Sequence, residues 1–242
     1  MTEKKSVNAQ SFRRLLELVY LNGHIKECLL EVEGGQGKIS ALDTSNSILA
    51  SVTAPVTGLG DGQYGLANLD TLVKFLKHCQ EEELSYSISK DEKWLTLRRK
   101  GHGKFSSLLA ESELIATKME ENPDIASQTK NYSCKIKLKE RFVEDALYYM
   151  SLVGQQGVEF KATKGNVVLQ SSNATMQHFE ASVGKPENLE EEVSVRLYSS
   201  QLQAILSVME LGEESCLYLK TDYPAIFMQD ENNAWALTPI IE

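Results

Sequence analysis

The chain has no uninterrupted apolar stretch of about 18 residues, the length that a membrane-spanning helix requires. Its first residues, MTEKKSVNAQ, lack the apolar core of a secretory signal, so a cytoplasmic or nucleoid location is expected. Cysteine is sparse. Cys28, Cys79, Cys134 and Cys216 lie far apart with no CxxC among them, which argues against a zinc site and against a disulfide framework. Each sits in an apolar context and reads as a buried, reduced thiol. The four histidines, His24, His78, His102 and His178, share no ligand spacing such as HExxH, so structural roles are expected of them, with no metal and no cofactor. Excess positive charge is also missing, since the formal net charge is −9. A nucleic-acid partner would therefore have to be met by positive charge confined to one face.

Catalytic signatures are equally scarce. Gly34-Gly35-Gln36-Gly37-Lys38 looks like part of a phosphate loop, but Ile39 follows the lysine and the segment joins two strands, so a hairpin turn is predicted. The carboxylate runs Glu81–Glu83 and Glu190–Glu192 precede strands and read as solvated loops. No Ser/His/Asp order stands out. The sequence offers no active site, which favours a binding or scaffold role over an enzyme.

What the chain does contain is pattern. Four amphipathic helices are predicted. The first is Ser11–Asn22, with Phe12, Leu15, Leu16 and Val19 on one face, Ser11 as cap and Gly23 as stop. The second is Asn68–Cys79, capped by Asn68. The third is Glu140–Val153, stopped by Gly154, and the fourth is Ser199–Leu211, stopped by Gly212. Between them run segments of period two, such as Tyr132–Leu138, with Cys134, Ile136 and Leu138 on one face and Lys135 and Lys137 on the other. In order, the elements read strand, helix and three strands, four times over, at roughly 50 residues per repeat. This predicts an α+β protein of two similar domains, residues 1–110 and 132–242, each a duplicated β-α-β-β-β unit with its helices on one side of antiparallel sheet. Residues 111–131, Glu111–Asn131, fit neither period, carry five carboxylates and contain Pro123, and they are expected to tether the halves. Sheets so built have edges that need partners. Pairing of Lys104–Leu109 or Met176–Val183 head to tail with another subunit would close a ring.

The helix surfaces differ in charge. The first offers Arg13 and Arg14, and the second Lys74, Lys77 and His78. The third offers Arg141, with Lys139 before it, against Glu144 and Asp145, and the fourth little beyond Glu210. These surfaces read either as ordinary solvated faces or as a mildly basic wall facing phosphates.

Several stretches, taken with the fourfold pattern, carry a resemblance: Leu42-Asp43-Thr44-Ser45-Asn46; Tyr132-Ser133-Cys134-Lys135-Ile136-Lys137; Gly157-Val158-Glu159-Phe160-Lys161-Ala162; Thr221-Asp222-Tyr223-Pro224; and the closing Leu237-Thr238-Pro239-Ile240-Ile241-Glu242. In this order and over the whole chain they resemble the proliferating-cell-nuclear-antigen (PCNA) family of DNA sliding clamps. The resemblance implies a non-catalytic homotrimeric ring, with helices lining a channel around double-stranded DNA and sheets outside. It implies a processivity factor that a clamp loader opens and that tethers DNA polymerase and other proteins carrying a clamp-binding peptide. It makes Arg13, Arg14, Lys74, Lys77 and Arg141 the channel residues. It places a peptide pocket at Leu42, Asn46 and Ser47, at Met119, Pro123 and Ile125 of the connector, and at Pro224, Ala236, Thr238 and Pro239. The family often has an aromatic where Ala236 falls, so a wider pocket is implied, whereas Pro224 and Pro239 also read simply as strand terminators. The poverty of cations on helices three and four departs from the family and leaves open a subunit of a heterotrimeric or checkpoint-type clamp. The end at Glu242, without an acidic extension, leans archaeal or viral. An enzyme on an α+β scaffold and a β-rich interaction protein without DNA are the readings from other classes.

Overall fold

A computed structural model describes residues 5–111, 115, 125–153, 156–172, 178–187, 189 and 191–240. It divides into two compact units, Met1–Thr44 with Ala50–Asn122, and Ser45–Leu49 with Pro123–Glu242.

In the first unit the order is β1 (Ser6–Asn8), α1 (Ala9–Tyr20), β2 (Cys28–Glu33), β3 (Gln36–Leu42), β4 (Ile48–Pro55), β5 (Gly62–Leu66), α2 (Leu69–Cys79), β6 (Glu83–Ile88), β7 (Trp94–Arg98) and β8 (Lys104–Leu108). Its two sheets exchange first strands. The short β1 pairs with β6 to give the order β1-β6-β7-β8, while β5 pairs with β2 in the order β5-β2-β3-β4. Each β-α-β-β-β run thus completes the sheet of its neighbour, so neither run is a closed module. Pattern along the chain shows the runs but not this exchange, because pairing between distant strands leaves no local trace.

The start of α1 is set by Asn8, not Ser11. The Asn8 side-chain oxygen accepts the Ser11 N–H at 2.9 Å, satisfying one of the helix's unpaired donors. The helix also ends earlier than predicted, at Tyr20. Leu21 and Asn22 take left-handed backbone and form a 3₁₀ turn, Leu21–Gly23. Asn68 occupies the cap position of α2 but is itself left-handed, and its carbonyl, not its side chain, holds the first turn. The predicted hairpin at Gly34 and Gly35 forms, with both glycines at positive φ.

Gly58 combines left-handed backbone with a close approach to a neighbouring strand. At φ +87° a Cβ would lie 2.3 Å from the Ser6 carbonyl oxygen, just where Thr57 accepts the Asn8 N–H at 2.9 Å. Gly34 has comparable backbone but open space around it. Gly58→Ala is therefore expected to cost about 3 kcal/mol in urea unfolding, strain plus overpacking, and Gly34→Ala about 1 kcal/mol, strain alone. Equal costs would mean that β1 yields freely.

The second unit repeats the arrangement. After α3 (Ile125–Gln128) come β9 (Cys134–Lys137), α4 (Glu140–Val153), β10 (Gly157–Ala162), β11 (Val167–Ser172), β12 (His178–Gly184), β13 (Val193–Tyr198), α5 (Ser199–Val208), β14 (Cys216–Leu219), β15 (Ala225–Met228) and β16 (Ala234–Leu237). Its sheets run β12-β11-β10-β13 and β16-β15-β14-β9, again with first strands exchanged. Phe142, Phe160, Phe227 and Trp235 fill the core between helices and sheets. Helix α5 stops at Val208 rather than at Gly212. Met209 turns extended and tucks into the core, which a helix continued to Leu211 would not allow. The stretch predicted to be irregular contains regular structure, since α3 and a 3₁₀ turn (Thr129–Asn131) fill Ile125–Asn131.

Candidate functional site

Three surfaces assemble from these elements: the helix faces, the sheet edges and an apolar sheet face.

On the helix faces the predicted cations are placed as follows. In the first unit α1 and α2 pack side by side, and the Tyr20 hydroxyl donates to Asp70 Oδ1. Lys74 Nζ donates to Asp70 Oδ2 at 2.8 Å. The bonds from Lys74 and Tyr20 hold the Asp70 carboxyl below its ordinary range. That same hydrogen bond to Asp70, with partial burial, pushes the Tyr20 hydroxyl up to about 12. Arg13 Nε lies 3.6 Å from Glu17, and the exposed Arg141 lies 3.9 Å from Asp145. Three of the five predicted channel cations therefore have an acid one turn away on their own helix. Such exposed pairs contribute only about 0.3–0.5 kcal/mol to the helix, but they weaken the field that a passing anion meets. Arg14 and Lys77 lie on the same two helices, both exposed. In the second unit α4 sets Glu140, Glu144 and Asp145 against Arg141, and α5 has no charged residue. The cationic character predicted from sequence lies on the helices of the first unit.

The predicted sheet edges are edges. Strand β8 ends the sheet β1-β6-β7-β8, and β12 ends the sheet β12-β11-β10-β13. Each is tied to a helix by a ring stack. Phe75 of α2 stacks on Phe105 of β8 at 4.8 Å, and Tyr149 of α4 stacks on Phe179 of β12 at 5.8 Å. Beside β12, α4 exposes Tyr148 and Leu152, both 60% accessible, and β8 exposes Leu108. Large apolar groups next to unpaired backbone are features that contacts between chains commonly use. The sequence signal for them is present: Tyr148 and Leu152 stand four apart, off the buried stripe of α4.

The third surface is the outer face of β16-β15-β14-β9. Strand β15 is apolar on both sides, so its second face must also be covered. Ile226 and Ala234 are buried there beneath Ile125 of α3, with Leu49, Tyr132, Tyr218, Met228 and Ala236 half-buried around them. Tyr132 packs edge-on against both Tyr218 and Tyr223 and donates its hydroxyl to the Pro224 carbonyl at 2.6 Å. Burial, with Tyr223 nearby, pushes the Tyr132 hydroxyl up to about 12. Thr238 donates its N–H to the Ser47 carbonyl at 2.8 Å, and its hydroxyl reaches the Asn46 carbonyl at 3.4 Å. Ser47 also receives Gln201 Nε2 at 2.6 Å, so it anchors the segment rather than presenting a free hydroxyl. The structure thus brings Asn46, Ser47 and Thr238 together, and places Ile125 and Ala236 on one apolar face that Pro224 touches through Tyr132. Leu42 ends β3 in the first unit, half-buried. Met119 and Pro123 lie outside the described residues. Pro239 lines a 770 Å³ cleft with Glu159, Gln170, His178, Arg196 and Asp222. Burial pushes the Glu159 carboxyl up, but bonds from Ser194, Gln170 and Lys161 outweigh it and leave a net lowering. Tyr132, Tyr218 and Ile226 are not among the sequence-predicted pocket residues. The run Ala225-Ile226-Phe227-Met228 announces a strand buried on both faces.

Among the described residues no helix is long and apolar enough to cross a membrane, and no group of three His, Cys, Asp or Glu is placed to hold a metal ion. All four cysteines are buried thiols.

No family model matches the sequence, and no curated protein does. Solved structures match at the level of fold. PCNA from Entamoeba histolytica superposes with a TM-score of 0.68 at 19% identity, covering 98% of each chain. PCNA of A. fulgidus, solved with the C-terminal region of FEN-1, gives 0.70 at 15% identity, covering 99% of this chain and 98% of that one. The DNA polymerase sliding clamp of Bacillus subtilis gives 0.71 at 16% identity over 99% of this chain but 64% of its own. The chain thus spans PCNA from end to end and about two thirds of the bacterial clamps. With its α+β architecture and four β-α-β-β-β runs, it has the fold of the DNA sliding clamps.

Proposed function

We propose that the protein is a DNA sliding clamp: a ring of three chains around duplex DNA that makes a polymerase processive. The observation that carries this is the end-to-end match to PCNA chains, with 98% of each chain covered in the Entamoeba histolytica case. A non-catalytic topological tether suits the residues present. Encirclement holds the protein on DNA without tight phosphate contacts, so cations softened by their own i,i+4 acids permit sliding. Edge β12 of one chain pairs with edge β8 of the next, and Tyr148 and Leu152 of α4 meet the Phe75–Phe105 corner. Three such head-to-tail contacts close the ring. Glu111–Asn131 serves as the connector between domains 1–110 and 132–242. The apolar face under Ile125 receives the clamp-binding peptides of polymerase and other partners, and a clamp loader opens the ring.

Synthesis on primed circular DNA with the cognate polymerase and loader tests this. Products should lengthen to full circles when the protein is added, and unchanged product lengths would overturn the reading. The scarcity of cations on α4 and α5 favours one second reading, a subunit of a heterotrimeric or checkpoint-type clamp whose partners supply the missing charge. The mass of the purified chain in solution separates the two, since the first requires a self-trimer.

A further inference from the structure

The densest cationic stretch of this acidic chain is not on a helix. It is the hairpin between β7 and β8, Arg98-Arg99-Lys100-Gly101-His102-Gly103-Lys104, which holds four cations and no carboxylate. Its turn is closed by Arg99 N–H to the Gly103 carbonyl at 3.3 Å and His102 N–H to the Arg99 carbonyl at 3.2 Å, with Gly101 left-handed in open space. Arg99 is committed to structure. Its Nε donates to Glu82 Oε2 at 2.6 Å and its Nη2 to Glu82 Oε1, while Nη1 lies 3.5 Å from His78 Nε2. This clamp fastens the hairpin to the turn between α2 and β6, next to His78 in the last turn of α2, and consumes the Glu82 charge. The neighbouring Glu83 accepts from Asn8 instead.

What remains is unbalanced. Arg98 and Lys104 stand directly opposite in register, both exposed, and Arg98 has Ser85 on its other side. Lys100 is exposed at the tip. Among the described residues, none of these three is in an ion pair. Like charges directly opposite on a sheet destabilise it. An anion between them removes that cost, so the hairpin gains from a polyanion in a way that a neutral loop does not.

We propose that this hairpin is a second phosphate-binding site of the first unit, in which Arg98, Lys100 and Lys104 take the backbone of duplex DNA. The identity of the anion rests on the clamp reading. DNA is favoured over an acidic peptide because Arg99 of the hairpin lies beside His78 in the last turn of α2, which also carries Lys77, and because evenly spaced phosphates suit closely set cations. The DNA contacts of the chain are then concentrated in the first unit, which compensates for the acidic α4 and the uncharged α5.

The test is the salt dependence of binding to a 30-bp duplex between 50 and 200 mM NaCl, for the wild type and for Arg98→Ser/Lys100→Ser. Lys104 is spared because it lies on an edge strand, and Arg99 because it holds Glu82. The log–log slope is expected to fall by about 2 in the variant, about 0.9 for each phosphate that is no longer neutralised. An unchanged slope overturns the proposal, and so does a polyglutamate chain that competes with the duplex as well as unlabelled DNA does. Retention of the loaded wild type on circular DNA, and its release on linearisation, reports separately on the clamp reading. A wild type that is not retained, but whose variant still shows the smaller slope, leaves the hairpin site standing without the clamp.

Discussion

Leu152→Asp should convert an assembly of about three times the 27.0 kDa chain mass into the single chain. Leu152 is 60% exposed on α4, so the folded chain has nothing to lose by the change, and aspartate keeps full access to water. The cost falls on association alone. A carboxylate held against the apolar corner of the neighbouring chain is desolvated without a partner, which costs about 2–5 kcal/mol at each contact. Because closure needs every contact at once, the penalty applies three times, and the closed ring should vanish at micromolar concentration. Light scattering reads the mass, and unfolding by urea should be unaltered once the monomer is compared with itself. With the ring gone, stimulation of polymerase on circular DNA should go with it. A variant that keeps the mass of the wild type would remove α4 from the contact and leave the β8 and β12 edges without their apolar support.

The same α4 shows how far sequence reading reaches. The buried stripe Phe142, Val143, Ala146 and Met150 is legible from spacing, and the helix keeps its predicted bounds. What the stripe leaves over, Tyr148 and Leu152, is visible as residues but not as a surface, because an edge strand beside them arises only from the distant order of the sheet. The cap of α1 shows a different limit. Asn8, Ser11 and the residues between them admit more than one register, and Asn8 prevails because β1, which ends at Asn8, is fixed by its pairing with β6. Helix ends are set by what precedes them in space.

The charged sites tell a similar story. Arg13, Lys74 and Arg141 are readable as cations, and each acid partner stands four residues away in the sequence, within reach of a simple spacing rule. The Arg99–Glu82 clamp is not within such reach, since it joins a hairpin to a turn seventeen residues earlier. It overturns the reading of Glu81–Glu83 as only a solvated run. Its pH dependence follows from sign. Arg99 first of all, with His102 and His78 adding to it, holds Glu82 below the 4.5 of an ordinary glutamate. The tie is therefore complete above that value and is lost as pH falls through the lower folded one. The Asp70 contacts to Lys74 and Tyr20 share this direction from the 3.8 of an ordinary aspartate, so the first unit loses both ties on acidification below about pH 4.

Ala236→Asp is the counterpart of the ring-breaking change: it should weaken partner binding roughly a hundredfold and leave the ring whole. Ala236 is half-buried on β16, directly opposite Ile226 and beside the patch that Ile125 covers. Ala236 contributes only a methyl group to this half-buried face, on which a partner's aromatic ring is expected to lie. An aspartate there still reaches solvent in the free protein, so folding should suffer by no more than about 1 kcal/mol. Once a peptide seals the face, the carboxylate is desolvated among apolar and aromatic neighbours. The unpaired charge costs about 3 kcal/mol, a loss of roughly a hundredfold in affinity for a peptide carrying glutamine, an aliphatic and two aromatics. Titration calorimetry measures it, and Ala236→Ser supplies the control, since a hydroxyl of similar size can bond a strand carbonyl and should cost less than about tenfold. If the aspartate variant binds the peptide as tightly as the wild type, the partner site lies elsewhere, and the adjoining cleft at Arg196 and Pro239 becomes the surface to test by the same titration.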